Sequence, residues 1–236
     1  MAPYLETVKA SSDDPFHPQE LTRSNSHLLP SKSQTLASTQ LSFSRPLRVL
    51  WDSSVYTILR TRAGSNYLQD LLGSAAFSVV QNDIKGNIVK VRTRYDAAPA
   101  LSGTLEKLVE NEKGEKKRTA TEGLMWLLRG MSFTCKALQN AQANKSEELS
   151  AAFNKSYEGT LKKFHNFVVK GIFSVAMKAC PYRADFYAKL AADPAGGPPA
   201  SDEKLNEELN KWLEALASIV ARMESFYETG GYGKGL

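Results

Sequence analysis

From Tyr67 onward, apolar residues recur every three and four positions, the period of a helix rather than of a strand. Phe77, Val80, Ile84, Ile88, Val91 and Tyr95 share one face of a helix expected to run from Gly73 or Ser74 to Tyr95. Pro99 ends it. A short helix over Leu101 to Val109 should follow, and then the charged loop ENEKGEKKR. Thr119 or Thr121 stands where it would cap a long helix reaching about Ala141. The next helical pattern spans about Ser146 to Ala179, with a bend at Gly159 or Gly171. Pro181 opens a short helix through Asp185, Phe186 and Leu190, and ADPAGGPPA reads as loop. Ser201, followed by Asp202 and Glu203, starts a last helix to about Tyr227. No β-alternation, internal repeat or glycine-rich phosphate loop interrupts this series, so the fold class is all-α.

Residues 10–48 are rich in Ser, Thr and Pro without a sustained period and read as loop or disorder. Residues 49–62 fit a short helix or a short strand equally. The chain therefore divides into an irregular N-terminal segment (1–66), a helical domain (67–229) and a flexible tail (230–236).

The chain has 236 residues, enough for one sizeable core. It lacks an uninterrupted apolar run of the ~20 residues that a membrane span needs. A formal charge of +5 suits transient contact with anionic lipid, and no basic motif of a nucleic-acid module accompanies it. Cys135 and Cys180 each lie in an apolar helical pattern and read as buried free thiols, with a single disulfide as the alternative. His17, His27 and His165 are too scattered to ligate a metal. The start of the chain has neither a secretory apolar stretch nor the acid-poor composition of a transit peptide, so a cytoplasmic location is expected.

Asp83, Asn87 and Lys90 fall at i, i+4 and i+7 beside the apolar stripe of the first strong helix. Such a strip is either a solvated face with internal side-chain support, or the lining of a polar pocket. Saccharides need that mixture of acceptor, amide and cation, because each hydroxyl both gives and takes a hydrogen bond. Trp126 lies on a second apolar strip of its helix, fitting either ordinary packing or a platform for the C–H face of a sugar. Gly123 and Gly130 are spaced to leave room for a ligand beside it. On a continuous helix, His165 shares its face with Leu161, Val169, Ile172 and Ala176. It is then a core histidine bonded to a carbonyl, or a donor at the junction of a polar head and an apolar tail. Phe167, close in azimuth to Lys163 and Lys170, is a singly exposed ring or a membrane-interface anchor.

DIKGNIVK, TEGLMWLLRG, KKFHNF and ACPYRADFYAKL together resemble the glycolipid transfer protein family. TATEGLMWLLRGMSFTC is especially similar to its fungal branch, typified by heterokaryon-incompatibility protein C. The resemblance covers Leu68 to Tyr227, with the four blocks in family order. It implies a two-layer all-helical sandwich holding lipid chains between its layers, without cofactor or covalent chemistry. It further implies that Asp83, Asn87, Lys90 and Trp126 bind the sugar head, and that Asp83 and His165 grip the ceramide amide. Phe167 would take the membrane-contacting position. The chain would then be a non-enzymatic carrier of one glycosphingolipid, peripherally associated with membranes and independent of nucleic acid. Its rivals are a glycolipid sensor, a ceramide-1-phosphate carrier, an enzyme and a helical scaffold. Retention of Asn87 and Trp126 favours a neutral sugar, although Arg94 and Arg129 remain available to an anion. Residues 11–66 depart from the family pattern, as an insertion or a misread exon boundary would. Oligomeric state has no signature in this sequence.

Overall fold

The computed structural model describes residues 78–193 and 196–236. The expected irregular segment, Phe77 and the proposed start of the first helix lie outside the described residues. Those residues form seven α-helices and two short 3-10 turns, and no strand occurs among them. The helices are α1 (Ser78–Ala97), α2 (Leu105–Glu112), α3 (Thr119–Ala143), α4 (Leu149–Gly159), α5 (Phe167–Lys178), α6 (Arg183–Ala191) and α7 (Asp202–Gly230).

Helix α3 is the centre of the packing, flanked by α1, α2, α4 and α7. Its sequence explains that position, since Leu124, Leu127, Met131 and Leu138 are buried, and so are Met125, Leu128, Phe133 and Ala137 on other sides. A helix buried around most of its circumference must lie inside a bundle. From α1, Val91 is fully buried, while Val80, Ile84, Ile88 and Tyr95 pack against the same core.

The N-terminus of α3 is capped differently from the expectation. Arg118 is the N-cap residue and makes no side-chain cap bond. Instead the buried Glu112 of α2 accepts from the Ala120 and Thr121 amides at 2.9 and 2.6 Å and from the Thr121 hydroxyl at 2.7 Å. A carboxylate meeting unpaired amides at the positive end of a helix satisfies both partners.

The expected helix from Ser146 to Ala179 is broken into α4, a 3-10 turn (Lys162–Phe164) and α5. Thr160 leaves helical geometry (φ −125°, ψ −83°), and Asn166 caps α5 by accepting from the Val169 amide at 3.0 Å. The break lies at Thr160 to Asn166 rather than at Gly171. His165 is consequently in extended backbone (φ −95°, ψ 135°), off the continuous helical face it was expected to share.

Ser201 caps α7 as expected, accepting from the Lys204 amide at 3.3 Å. The end of the chain, expected to be flexible, folds back after Gly231, whose left-handed φ of 62° suits a residue without a side chain. Tyr232 is buried and stacks on Phe226 at 4.7 Å, and Arg118 donates to the Tyr232 carbonyl at 2.7 Å. Both cysteines are free thiols: Cys135 is buried, and burial pushes the half-buried Cys180 thiol up to about 11. No helix among the described residues is long and apolar enough to cross a membrane.

Candidate functional site

The site begins where α1 crosses α3. A side chain at Gly123 would meet the Asn87 carbonyl oxygen and Lys90 Cβ at 3.1 Å, and Lys90 Cδ at 3.2 Å. Gly123 therefore makes room for a helix, not for a ligand as its spacing suggested. Gly130 does face open space, with nothing within 4 Å of a methyl group placed there.

Close approach at Gly123 buries Asn87, which is only 4% exposed and so is no part of a solvated face. A buried amide needs partners on both ends. Asn87 Nδ2 donates to Asp83 Oδ2 at 3.1 Å, and Lys90 Nζ donates to Asn87 Oδ1 at 3.1 Å. Lys90 also lies 3.9 Å from Glu122 Oε2 of α3. The three residues thus form one chain of hydrogen bonds, with the acid and the cation at its ends and the amide fixed between them. Asp83 remains reachable from solvent, but crowding around its carboxyl raises its pKa; Lys90, His165 and the Asn87 hydrogen bond oppose that rise.

Trp126 follows Gly123 by one turn of α3 and is half-buried. Its indole lies nearly parallel to the His165 imidazole, with centroids 6.2 Å apart and planes at 21°. His165 Nδ1 is 3.1 Å from the Tyr157 hydroxyl, and the imidazole meets Phe173 at 4.6 Å. Burial lowers the His165 pKa, opposed by Asp83 and assisted by Lys170. Burial and the neighbouring Glu158 raise that of Tyr157, which keeps its hydroxyl proton. When that hydroxyl donates to Nδ1, the imidazole carries its own proton on Nε2 and presents a donor. The structure therefore brings Asp83, Asn87, Lys90, Trp126 and His165 together from three stretches of chain.

Phe167 lies elsewhere, at the first position of α5, and is 88% exposed. Lys163 and Lys170 are exposed near it in sequence, but the helix break places Lys163 in the preceding turn rather than on Phe167's helix. Phe164, Val168, Val175 and Tyr182 are exposed as well. Sequence reasoning missed Tyr157, Phe164, Phe173 and Glu122 as parts of the site. Asn166, a strong N-cap type, was the available signal that the helix restarts there and frees His165 to turn.

The family pattern for glycolipid transfer protein matches residues 59–192, more than half of the chain. The chain belongs to the glycolipid transfer protein family. The match begins ahead of residue 67, where the helical domain was expected to start. A glycolipid transfer protein of Aureobasidium melanogenum is 48% identical over 159 residues, spanning 67% of this chain and 75% of its relative. One from Danio rerio is 37% identical over 169 residues, spanning 67% and 78%. The solved structure of HET-C2, a fungal glycolipid transfer protein, is 46% identical with a TM-score of 0.62, covering 70% of this chain and 81% of its own. A FAPP2 structure, described as selecting simple glycosphingolipids with this fold, is 28% identical with a TM-score of 0.64, covering 81% and 89%. The all-helical architecture is that of these neighbours, and the fungal branch expected from TATEGLMWLLRGMSFTC is the one supported.

Proposed function

We propose that this protein is a non-enzymatic carrier that extracts one glycosphingolipid from a membrane, shields it, and releases it to another. The observation that carries the reading is the buried Asn87 amide, fixed between Asp83 and Lys90 beside the Trp126–His165 stack. Asp83 accepts from sugar hydroxyls and from the ceramide amide N–H, Lys90 donates to further hydroxyls, the buried Asn87 serves the headgroup by holding those two side chains in place, and the indole stacks on the sugar. His165 donates to the ceramide carbonyl through Nε2. Asp83, Lys90 and His165 thus each meet a lipid group of the complementary hydrogen-bonding kind.

The hydrocarbon enters beyond His165. Phe133, Phe153, Tyr157 and Phe173 pack ring against ring there, so acyl chains must part them. At about 0.8 kcal/mol per CH₂, an acyl chain resists leaving a bilayer by roughly 10 kcal/mol, and only a dry interior offsets that. Phe167 enters the headgroup layer of the membrane, with Lys163 and Lys170 meeting anionic lipid, as the exposed ring and its basic neighbours support. This chemistry suits a cytoplasmic, peripherally associating protein.

The test is transfer of galactosylceramide between vesicles, with ceramide-1-phosphate as competitor and the lipid recovered for mass analysis. Asp83→Val should abolish transfer while helicity stays near wild type. Full transfer by that variant overturns the headgroup site, chemically altered lipid overturns the carrier reading, and preferred transfer of ceramide-1-phosphate reassigns the ligand. Binding without net transfer would identify a sensor.

A further inference from the structure

Arg129 has contacts that the headgroup reading does not use. It follows Trp126 by three positions on α3, on the same side of the helix. Its guanidinium carbon lies 3.7 Å from the ring centroid of Phe164 and 4.7 Å from that of Trp126. Phe164 in turn meets Trp126 edge to face, at 6.4 Å and 78°. Among the described residues the guanidinium makes neither a hydrogen bond nor an ion pair, so its placement rests on the two rings. Burial lowers its pKa, which marks a partly desolvated cation without a carboxylate beside it.

We propose that Arg129 is a positioning residue that sets the plane of the Trp126 indole and links it to Phe164. The imidazole of His165 lies nearly parallel to the indole, while Arg129 and the edge-on Phe164 restrain its tilt. A sugar stacked on the indole reaches Asp83 and Lys90 only when that plane is right. Phe164 is itself 40% exposed and belongs to the same short segment as Phe167, with the Lys163 ammonium 5.0 Å from its ring. A displacement of Phe164 therefore passes to the headgroup platform both through its own edge contact with the indole and through Arg129. The role needs a flat, delocalised cation, which arginine supplies and lysine does not.

The proposal rests on the reading of Trp126 as the sugar platform, and the experiment separates the two. Full-length protein labelled with nitrogen-15 reports the Trp126 indole N–H, identified by its loss in Trp126→Phe. The same samples are assayed for transfer of glucosylceramide relative to unglycosylated ceramide. Arg129→Gln, Arg129→Lys and Phe164→Leu should each shift the indole resonance. Each should lower the glucosylceramide preference about fivefold, the scale of one net hydrogen bond. Restoration of the preference by Arg129→Lys would show that charge alone matters and overturns the proposal. An unmoved indole in Arg129→Gln, or an unchanged preference in Phe164→Leu, overturns it too. Equal transfer of both lipids by the wild type sinks the sugar-platform reading instead, and the indole resonance still decides whether Arg129 positions Trp126.

Discussion

Gly123→Ala tests whether the headgroup cluster depends on the crossing of α1 and α3. The added methyl would sit 3.1 Å from the Asn87 carbonyl oxygen and from Lys90 Cβ, both atoms close to the α1 backbone and unable to swing away. A separation that short forces α1 outward by a few tenths of an ångström, an overpacking cost of about 1–3 kcal/mol. Alanine also favours the helix by about 1 kcal/mol, which partly masks the cost. Gly86→Ala supplies the control: it lies within α1, and a methyl there meets nothing within 4 Å. The propensity gain cancels between the two variants, so their melting temperatures should differ by the crowding alone, about 2–12 °C. Transfer should separate them further. The Asp83–Asn87–Lys90 chain lies within α1 and moves with it, so the shift carries it away from Trp126 and lengthens the Lys90–Glu122 contact, already 3.9 Å. The assays are thermal unfolding and vesicle-to-vesicle transfer of galactosylceramide. A Gly123→Ala protein as stable as Gly86→Ala, and as active as wild type, refutes the reasoning.

Other perturbations probe the remaining parts. Trp126→Ala should weaken binding of sugar-headed lipid more than binding of free ceramide, and equal losses would show that the indole only packs. Phe167→Ala should reduce partitioning onto anionic vesicles, while lipid selectivity in a vesicle-free competition assay stays unchanged; undiminished partitioning argues against a membrane anchor. His165 has a folded-state pKa below its ordinary value near 6.5, so the unfolded chain binds more protons between the two. Its contribution to stability is complete above about 6.5 and is lost as pH falls through that window. Melting temperatures across pH 4.5–8 should therefore fall less steeply on the acid side in His165→Asn than in wild type, and parallel curves would contradict the assignment.

Much of α1 was legible because its apolar spacing alone decides which face meets the core, and Val80, Ile84, Ile88, Val91 and Tyr95 all pack there. The burial of Asn87 was not legible, because it depends on a glycine in a different helix. Residues 160–166 misled for a related reason. Leu161, His165 and Val169 keep helical spacing across a break that Asn166 capping chemistry creates, so periodicity hid the turn that points His165 at Tyr157. Glu112 reads as one more charge in ENEKGEKKR, yet it is buried and caps α3 because the fold brings α2 onto that helix end. The glycines near the end of the chain suggested mobility, whereas one aromatic residue, Tyr232, has a stacking partner on α7. The chemical types of the site residues were visible in the chain; their convergence needed the crossing of helices.

The most direct test is native mass spectrometry of the protein after incubation with phosphatidylcholine vesicles containing galactosylceramide. Wild type should emerge with one glycolipid per protein chain, chemically intact, and Asp83→Val should emerge without it. Equal capture of phosphatidylcholine, or undiminished glycolipid on Asp83→Val, would contradict a sugar-reading site at the mouth of a lipid chamber.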